Sequence, residues 1–152
     1  MIGAALALAA AAPTQVDIVG FFTGRTHADN DIKIVFHSAH KLVVDTVGRR
    51  EGNEFLEVDT VHEEGKPVRI RTWHMREVGP NHFTGTLSDA TGPVDMTVRG
   101  MTATIRYVMN GGLNIYETMQ LEADGRTLSN HVEARKLGLK FARVDGVIRK
   151  IG

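Results

Sequence analysis

The chain has 152 residues, with 18 Lys and Arg against 18 Asp and Glu, and it contains no cysteine. This length fits one domain, and 42% hydrophobic residues at zero formal net charge exclude a disordered chain. The charge balance removes the usual electrostatic case for a nucleic-acid or anionic-membrane binder. The lack of cysteine excludes disulfides, thiolate metal sites and cysteine nucleophiles.

An unbroken apolar run, Ile2 to Ala12, opens the chain. It is shorter than the about 20 residues that a membrane-spanning helix needs. Its length and its Ala-x-Ala ending are typical of a signal peptide, which we predict over residues 1–12. Cleavage after Ala11 is favoured, because Pro13 is a poor residue directly after a cut. No Lys or Arg precedes the run, so an Ala-rich helix packed on the domain is the alternative. The signal peptide implies a periplasmic protein that is exported and not lipidated.

Residues 13–152 are predicted to form a single domain of strands, after one helical turn near Asp17–Phe22. Apolar and polar residues alternate along the chain, which is the period of half-buried strands. The clearest alternating segments are 32–36, 58–62, 68–73, 102–109, 113–121, 131–136 and 143–149. In segment 58–62, Val58 lies on the predicted apolar face, so Asp59 is predicted to point outward, where it could pair with Arg69 or Arg71.

Turn residues separate these segments, which predicts hairpins. The predicted turns are 48–53, 63–67, 79–81, 90–93, 99–100, 110–112 and 123–126. Short segments joined by short turns leave no room for crossover helices, so the sheet is predicted to be antiparallel. Closure into a barrel is the usual way for so many strands to avoid exposed edges. In this barrel we predict that Ile105, Tyr107, Ile115, Met119 and Val132 face inward.

Four short motifs follow one another in a characteristic order. They are Phe21-Phe22-x-Gly24-Arg25, Arg71-Thr72-Trp73, the stretch HFTGTLSDATG over 82–92, and Asn130-x5-Lys136-Leu137-Gly138. In this order the chain, from about Phe21 to Lys150, resembles a bacterial domain-of-unknown-function family of small envelope proteins, many of them lipoproteins. The resemblance implies an all-β fold, a single antiparallel lipocalin-like (calycin) barrel of about 8–10 strands. Members of that family tend to sit beside lipid-modification functions, which favours apolar ligands.

Two departures limit what the resemblance implies. The chain has no lipobox cysteine, so anchoring by acylation does not carry over. Where the family shows an acidic pair followed by Trp, this chain has Tyr116-Glu117-Thr118, so Glu117 is the one acid retained.

Seven histidines raise the question of a metal site. His37 and His40 are three residues apart, which on a strand places them on opposite faces. The sequence has no H-E-x-x-H, EF-hand loop or G-x-S-x-G motif, so we predict no metal and no cofactor and assign no catalytic residue. Haem ligation through His62 or His74, both predicted on apolar faces, is a minor alternative.

Glu117 is the sharpest candidate for a functional side chain. It shares a predicted face with Ile115 and Met119, where a charge is costly unless a ligand headgroup or a structural cation such as Arg106 offsets it. Asp89 and Asn130 are interpreted as caps of turns and strand ends. The ligand-binding residues that we predict are Glu117, Trp73, Tyr107, Arg71 and His74.

The function predicted from these residues is the binding of a small hydrophobic or lipid-like ligand in the barrel, as a carrier or sensor. One alternative is an isomerase or cyclase acting on a lipid-derived substrate. Another is a filled-barrel structural or interaction module of the cell envelope. The predicted partner is a small hydrophobic ligand or lipid, and no nucleic-acid partner is predicted. A peripheral membrane contact without an anchor is compatible with the sequence, which does not determine the oligomeric state.

Overall fold

The computed structural model of the chain describes residues 14–152, so the predicted signal peptide lies outside the described residues. One short helix, α1 (Ile18–Phe22), precedes ten strands. The strands are β1 (Gly24–Ile34), β2 (His40–Glu51), β3 (Glu54–Glu63), β4 (Arg69–Gly79), β5 (His82–Leu87), β6 (Ala90–Arg99), β7 (Thr102–Met109), β8 (Leu113–Leu121), β9 (Thr127–Lys136) and β10 (Leu139–Lys150). Each strand pairs antiparallel with its neighbours in sequence, and β1 pairs with β10 to close the barrel. The predicted all-β antiparallel barrel is confirmed.

Helix α1 closes one end of the barrel, where β1 begins and β10 ends. The side chain of Asp17 caps the helix by accepting a hydrogen bond from the Gly20 N–H at 3.0 Å. Lys150 Nζ, from the end of β10, donates to the carbonyl oxygens of Gly20, Phe21 and Thr23. The predicted helical turn near Asp17–Phe22 is therefore confirmed. Among the described residues, no helix is long and apolar enough to cross a membrane.

A glycine allows α1 to sit this close to the barrel wall. A Cβ atom on Gly48 of β2 would lie 2.1 Å from the Phe22 carbonyl oxygen and 2.8 Å from the ring of Phe55. Any larger residue would push the helix off the end of the barrel. The opposite end carries the β1–β2, β3–β4, β5–β6, β7–β8 and β9–β10 hairpins, and we call it the hairpin end.

Inward and outward faces follow the predicted alternation in β7 to β9. Ile105, Tyr107, Ile115 and Met119 are buried, and Val132 is half-buried against the core, which confirms the predicted inward set.

The predicted faces of β3 are inverted. Val58 is 44% exposed on the outer wall, whereas Asp59 and Val61 are buried. Phe55 and Val61 have the same parity as Asp59 and both are buried, and the packing of Phe55 in the core with Trp73 favours this register. The prediction that Asp59 points outward is wrong.

Candidate functional site

A cavity of about 110 Å³ lies inside the barrel between α1 and a layer of polar side chains. Its walls at the helix end are apolar and rich in methionine and aromatic side chains. They include Ile18, Val19, Phe22, Phe55, Trp73, Met75, Met96, Ile105, Met119 and Ile148. The polar side chains that line it are Asn30, Thr46, Glu57, Asp59, Glu117 and Asn130. An apolar pocket with a few polar groups at one side is the usual form of a small-molecule site.

Asp59 of β3 is the best satisfied of the polar side chains. It accepts a hydrogen bond from Thr46 Oγ1 at 2.8 Å and another from Trp73 Nε1 at 2.7 Å. Burial raises the pKa of its carboxyl, while Arg71 and these two hydrogen bonds oppose the rise. Asp59 therefore fixes the indole of Trp73 against the cavity wall, which is a structural role at the edge of the site.

Arg71 of β4 forms the next layer toward the hairpin end. Its Nη2 donates to the hydroxyl of Tyr107 at 3.0 Å, and its Nε lies 3.3 Å from Asp89 Oδ2. The guanidinium carbon is 5.2 Å from the centre of the Trp73 ring, and Trp73 and Tyr107 meet edge to face at 5.7 Å. Burial raises the pKa of Tyr107 to about 12, so its hydroxyl stays protonated. These contacts hold Arg71 beside the cavity and direct the hydrogen bond of its Nη2 to Tyr107.

Glu57 of β3 and Glu117 of β8 face the cavity without an ion pair. No Lys, Arg or His nitrogen in residues 14–152 lies within ion-pair distance of either carboxyl. Burial raises the pKa of Glu117 to about 7, opposed by the charge of Arg71 and a hydrogen bond from Asn130. Burial also raises the pKa of Glu57 well above its usual range, and the negative charges of Asp59 and Glu117 add to that rise. Both carboxyls retain some accessible surface because they line the cavity.

A pair of asparagines completes the polar layer. Asn30 Nδ2 donates to the Leu42 carbonyl oxygen at 3.2 Å, which leaves Asn30 Oδ1 to accept from Asn130 Nδ2 at 3.5 Å. This sequence of bonds orients Asn130, whose Oδ1 is buried and receives no hydrogen bond from the described residues. Both asparagines lie beside Gly146 of β10, where a Cβ would be 2.4 Å from Asn30 Oδ1. The missing side chain of Gly146 provides the space in which they meet.

Four of the five residues predicted to bind a ligand lie inside the barrel. Glu117 and Trp73 line the cavity, and Arg71 and Tyr107 form the layer next to it. The predicted inward orientation of His74 is wrong, because its side chain is exposed and its Nε2 lies 3.3 Å from Glu54 Oε2 on the outer wall. Successive residues of a strand face opposite sides, and Trp73 and Met75 occupy the inner side of β4.

Arg106, the structural cation suggested for Glu117, does not face the cavity either. Arg106 is exposed, and its guanidinium stacks 4.9 Å from the ring centre of Tyr116 on the outer wall. His62 is exposed as well, on the outer face of β3. Within residues 14–152, no group of three or more His, Asp or Glu side chains is arranged to hold a metal ion.

Glu57 is absent from the residues predicted from the sequence, and Asn130 and Asp89 are predicted there only as caps. The available signal was phase: Phe55, Glu57, Asp59 and Val61 share one parity, and the large apolar side chains at the two ends of this set are buried. If the inner face of β3 is assigned from Phe55 and Val61 instead of from Val58, both Glu57 and Asp59 are predicted to face inward.

A closed antiparallel barrel with a helix across one end and a partly polar internal cavity defines the lipocalin-like (calycin) class. The chain belongs to the family described as "Protein of unknown function (DUF3833)", which it matches over residues 4–150. No curated protein matches the sequence.

Two solved structures are similar to this fold. The crystal structure of Rv2717c from M. tuberculosis has a TM-score of 0.65 at 14% identity, covering 88% of this chain and 95% of that one. The S-type phycobiliprotein lyase CPES from Guillardia theta has a TM-score of 0.67 at 5% identity, covering 90% of this chain and 92% of that one. At these identities the likeness establishes the fold alone.

Proposed function

We propose that the barrel binds a small, mostly apolar molecule that carries a cationic or hydrogen-bond-donating group. The observation that carries this proposal is the pair Glu57 and Glu117, two carboxyls that face an otherwise apolar cavity without an ion pair. A buried charge without a partner is costly, and a ligand that supplies donors offsets that cost.

The remaining polar atoms at the cavity support the same ligand chemistry. Asn130 Oδ1 is a buried acceptor without a donor, and the Glu57 and Glu117 carboxylates are acceptors when ionised. Arg71 is the cationic neighbour of these carboxyls, but its hydrogen bond goes to Tyr107 and its ion pair to Asp89. A cationic ligand would favour the ionised form of both carboxyls, and the site would then offer it more acceptors than donors.

The size of the cavity sets the size of the ligand. A volume of about 110 Å³ is near that of a cavity that holds one benzene molecule, about 150 Å³ in a well-studied example. A compact ring or a short branched chain is therefore the largest ligand that suits a cavity of this size. A longer lipid-like molecule requires α1 to move away from the strand ends, because the helix forms the floor of the cavity. The cavity itself argues against a filled barrel with a purely structural role.

A second candidate function is an isomerase or cyclase that works on the same kind of molecule. A carboxyl with a pKa of about 7 exchanges a proton readily near neutral pH, which is the property of a general acid or base. Phycobiliprotein lyase is one enzyme with a similar barrel. Turnover of a bound compound that stops on Glu117→Gln while binding persists would favour the enzyme over the carrier.

A matched set of ligands tests the proposed chemistry. Benzylamine, benzyl alcohol and benzoate share a ring of suitable size and differ in the polar group, and binding is measured by calorimetry and by the rise in Tm. We expect benzylamine to bind best and benzoate not to bind. Glu57→Gln and Glu117→Gln should each reduce the preference for the amine over the alcohol. The exposed Glu122→Gln is the control, because it changes net charge equally and lies outside the barrel. Benzoate binding as well as benzylamine would contradict the proposal.

A search for a natural ligand complements this set. Native mass spectrometry of the gently purified chain should reveal a small bound molecule that contains an amine or another donor group. The Glu57→Gln and Glu117→Gln variants should carry less of it than the Glu122→Gln control.

A further inference from the structure

Two neighbouring hairpins at the hairpin end of the barrel carry large apolar side chains at their tips. Phe36, between β1 and β2, is 98% exposed, and Leu137, between β9 and β10, is 93% exposed. Val35 and Leu139 beside them are also exposed. We call these four residues the apolar rim. Single apolar residues are common on protein surfaces, but a cluster of nearly bare side chains on adjacent tips indicates an interaction site.

The rim is one continuous surface, because β1 and β10 pair with each other. Ile34 of β1 lies opposite Ala142 of β10, and the Val35 N–H donates to the Phe141 carbonyl oxygen at 2.9 Å. Both tip residues adopt the left-handed backbone conformation, with φ of 64° at Phe36 and 51° at Leu137. Glycine and asparagine suit this conformation far better than a large apolar residue. The backbone thus holds apolar side chains where turn chemistry alone favours small polar ones.

The charge around the rim differs from that of the whole chain. Residues 33–41 and 135–141 contain five Lys and Arg and no Asp or Glu, although the chain as a whole is neutral. These basic residues are Lys33, Lys41, Arg135, Lys136 and Lys140. Asp31, which lies directly opposite Lys41, pairs with that lysine, and Glu133 pairs with Arg135 and Lys140. Glu64, in the adjacent β3–β4 turn, accepts a hydrogen bond from the Lys41 N–H at 3.0 Å. Among the described residues, Lys33 and Lys136 are the two of these five that form no ion pair. The tips therefore combine exposed apolar side chains with basic residues, two of which are free of any ion pair with the described residues.

We propose that the apolar rim docks on an anionic lipid bilayer, with Phe36 and Leu137 inserted among the lipids and the flanking basic residues at the headgroups. Apolar tips with basic flanks match the layering of such a surface, which has anionic headgroups outside and hydrocarbon beneath. Amphipathic Lys and Arg stems suit that boundary. Protruding hairpin tips fit a deformable lipid surface better than a protein groove. The contact lies at the end opposite α1, so it is independent of the ligand proposed for the cavity.

Vesicle co-sedimentation of the full-length chain tests this proposal. The vesicles are phosphatidylcholine alone, or phosphatidylcholine mixed equally with phosphatidylglycerol, at low and at high salt. We expect sedimentation with the mixed vesicles, weakened by salt, and much less with phosphatidylcholine alone. The double variant Phe36→Asn, Leu137→Asn should bind at least about tenfold more weakly, because burial of one such side chain contributes a factor of about ten to a hundred. Asparagine tolerates both backbone conformations, so the variant should remain folded.

Matched variants distinguish vesicle binding through the apolar rim from binding through other apolar surface. The apolar N-terminal residues are present in every variant, so they do not account for differences between variants. Val47→Thr, Val58→Thr removes two exposed apolar side chains from the outer wall and should bind as the parent chain does. Lys136→Gln, Lys140→Gln leaves the tip residues intact and should reduce binding to mixed vesicles. Equal binding of the parent and both rim variants would overturn the proposal. The proposal would also be overturned if the parent chain forms a dimer in solution that the Phe36→Asn, Leu137→Asn substitutions dissociate, while neither the parent chain nor the variant binds to vesicles.

Discussion

Replacing Glu117 by glutamine should make the protein more stable at alkaline pH. Burial raises the pKa of Glu117 from the 4.5 usual for an unfolded chain to about 7. The folded chain therefore holds this proton more tightly than the unfolded chain does. The free energy of unfolding accordingly falls as pH rises from about 4.5 to about 7, and then levels off. At 1.36 kcal/mol per pKa unit, ionised Glu117 costs the fold about 3 kcal/mol near pH 8.

Glutamine keeps the shape of the side chain and removes this cost. The stabilisation by Glu117→Gln should be below about 1 kcal/mol near pH 5 and reach about 3 kcal/mol near pH 8. Denaturant unfolding across this pH range measures it, with the fluorescence of the single, buried Trp73 as the probe. Burial raises the pKa of Glu57 as well, so the free energy of unfolding of the Glu117→Gln variant should still fall somewhat as pH rises.

A half-buried carboxyl on the outer wall, Glu133, provides a control of opposite sign. A hydrogen bond from Lys140 is the main reason that the pKa of Glu133 lies below its usual value, so its ionised form stabilises the fold. Glu133→Gln should therefore not stabilise the protein as pH rises. The reasoning is refuted if the stability difference between Glu117→Gln and the parent chain stays constant from acid to alkaline pH.

The remaining predictions concern packing, backbone space and export. Truncation of buried Ile115 to alanine should cost about 2–5 kcal/mol in denaturant unfolding, and a near-neutral result would contradict the inward register. Gly146→Ala should lower Tm markedly, because the new Cβ would lie 2.1 Å from a β1 carbonyl oxygen. By contrast, Gly79→Ala, where nothing lies within 4 Å, should change Tm little. If residues 1–12 act as a signal peptide, N-terminal sequencing of the chain from the periplasm of a bacterial host should begin near Ala12 or Pro13. Recovery of intact Met1 chain from the cytoplasm alone would count against export.

Periodicity in the sequence predicts most of the fold, because a strand with one buried face has an apolar side chain at every second position. The prediction is correct for β7 to β9, where apolar residues recur at alternate positions and Tyr107 and Ile115 are buried as expected. It fails for β3 and β4, whose inner faces carry acids, an arginine and a tryptophan, while Val58 and Ile70 lie outside. The cavity has polar side chains at positions where the alternation predicts apolar ones, so faces assigned from the alternation alone are inverted there.

Turn chemistry was informative but less exact in position. The residues 90–93 contain Gly92 and Pro93 and were predicted as a turn, yet they lie within β6, where the pairing with β7 shifts register. Gly92 has φ of 78°, so the glycine accommodates an irregularity inside a strand. The β1–β2 hairpin was not predicted at all, because Phe36 continues the alternation of Ile32 and Ile34 past the end of the strand. Its apolar tip is the feature that a search for polar turns overlooks.

The closure of the barrel also has a kinetic consequence. Nine of the ten strand pairings join neighbours in sequence, and only the pairing of β1 with β10 joins the two ends of the described chain. Closing the longest loop carries the largest entropic cost, so this seam is expected to form last on the folding pathway. The contacts of Lys150 with the helix carbonyls lie on the same seam. Substitutions there should accelerate unfolding far more than they slow refolding, and the seam would then set the lifetime of the closed barrel.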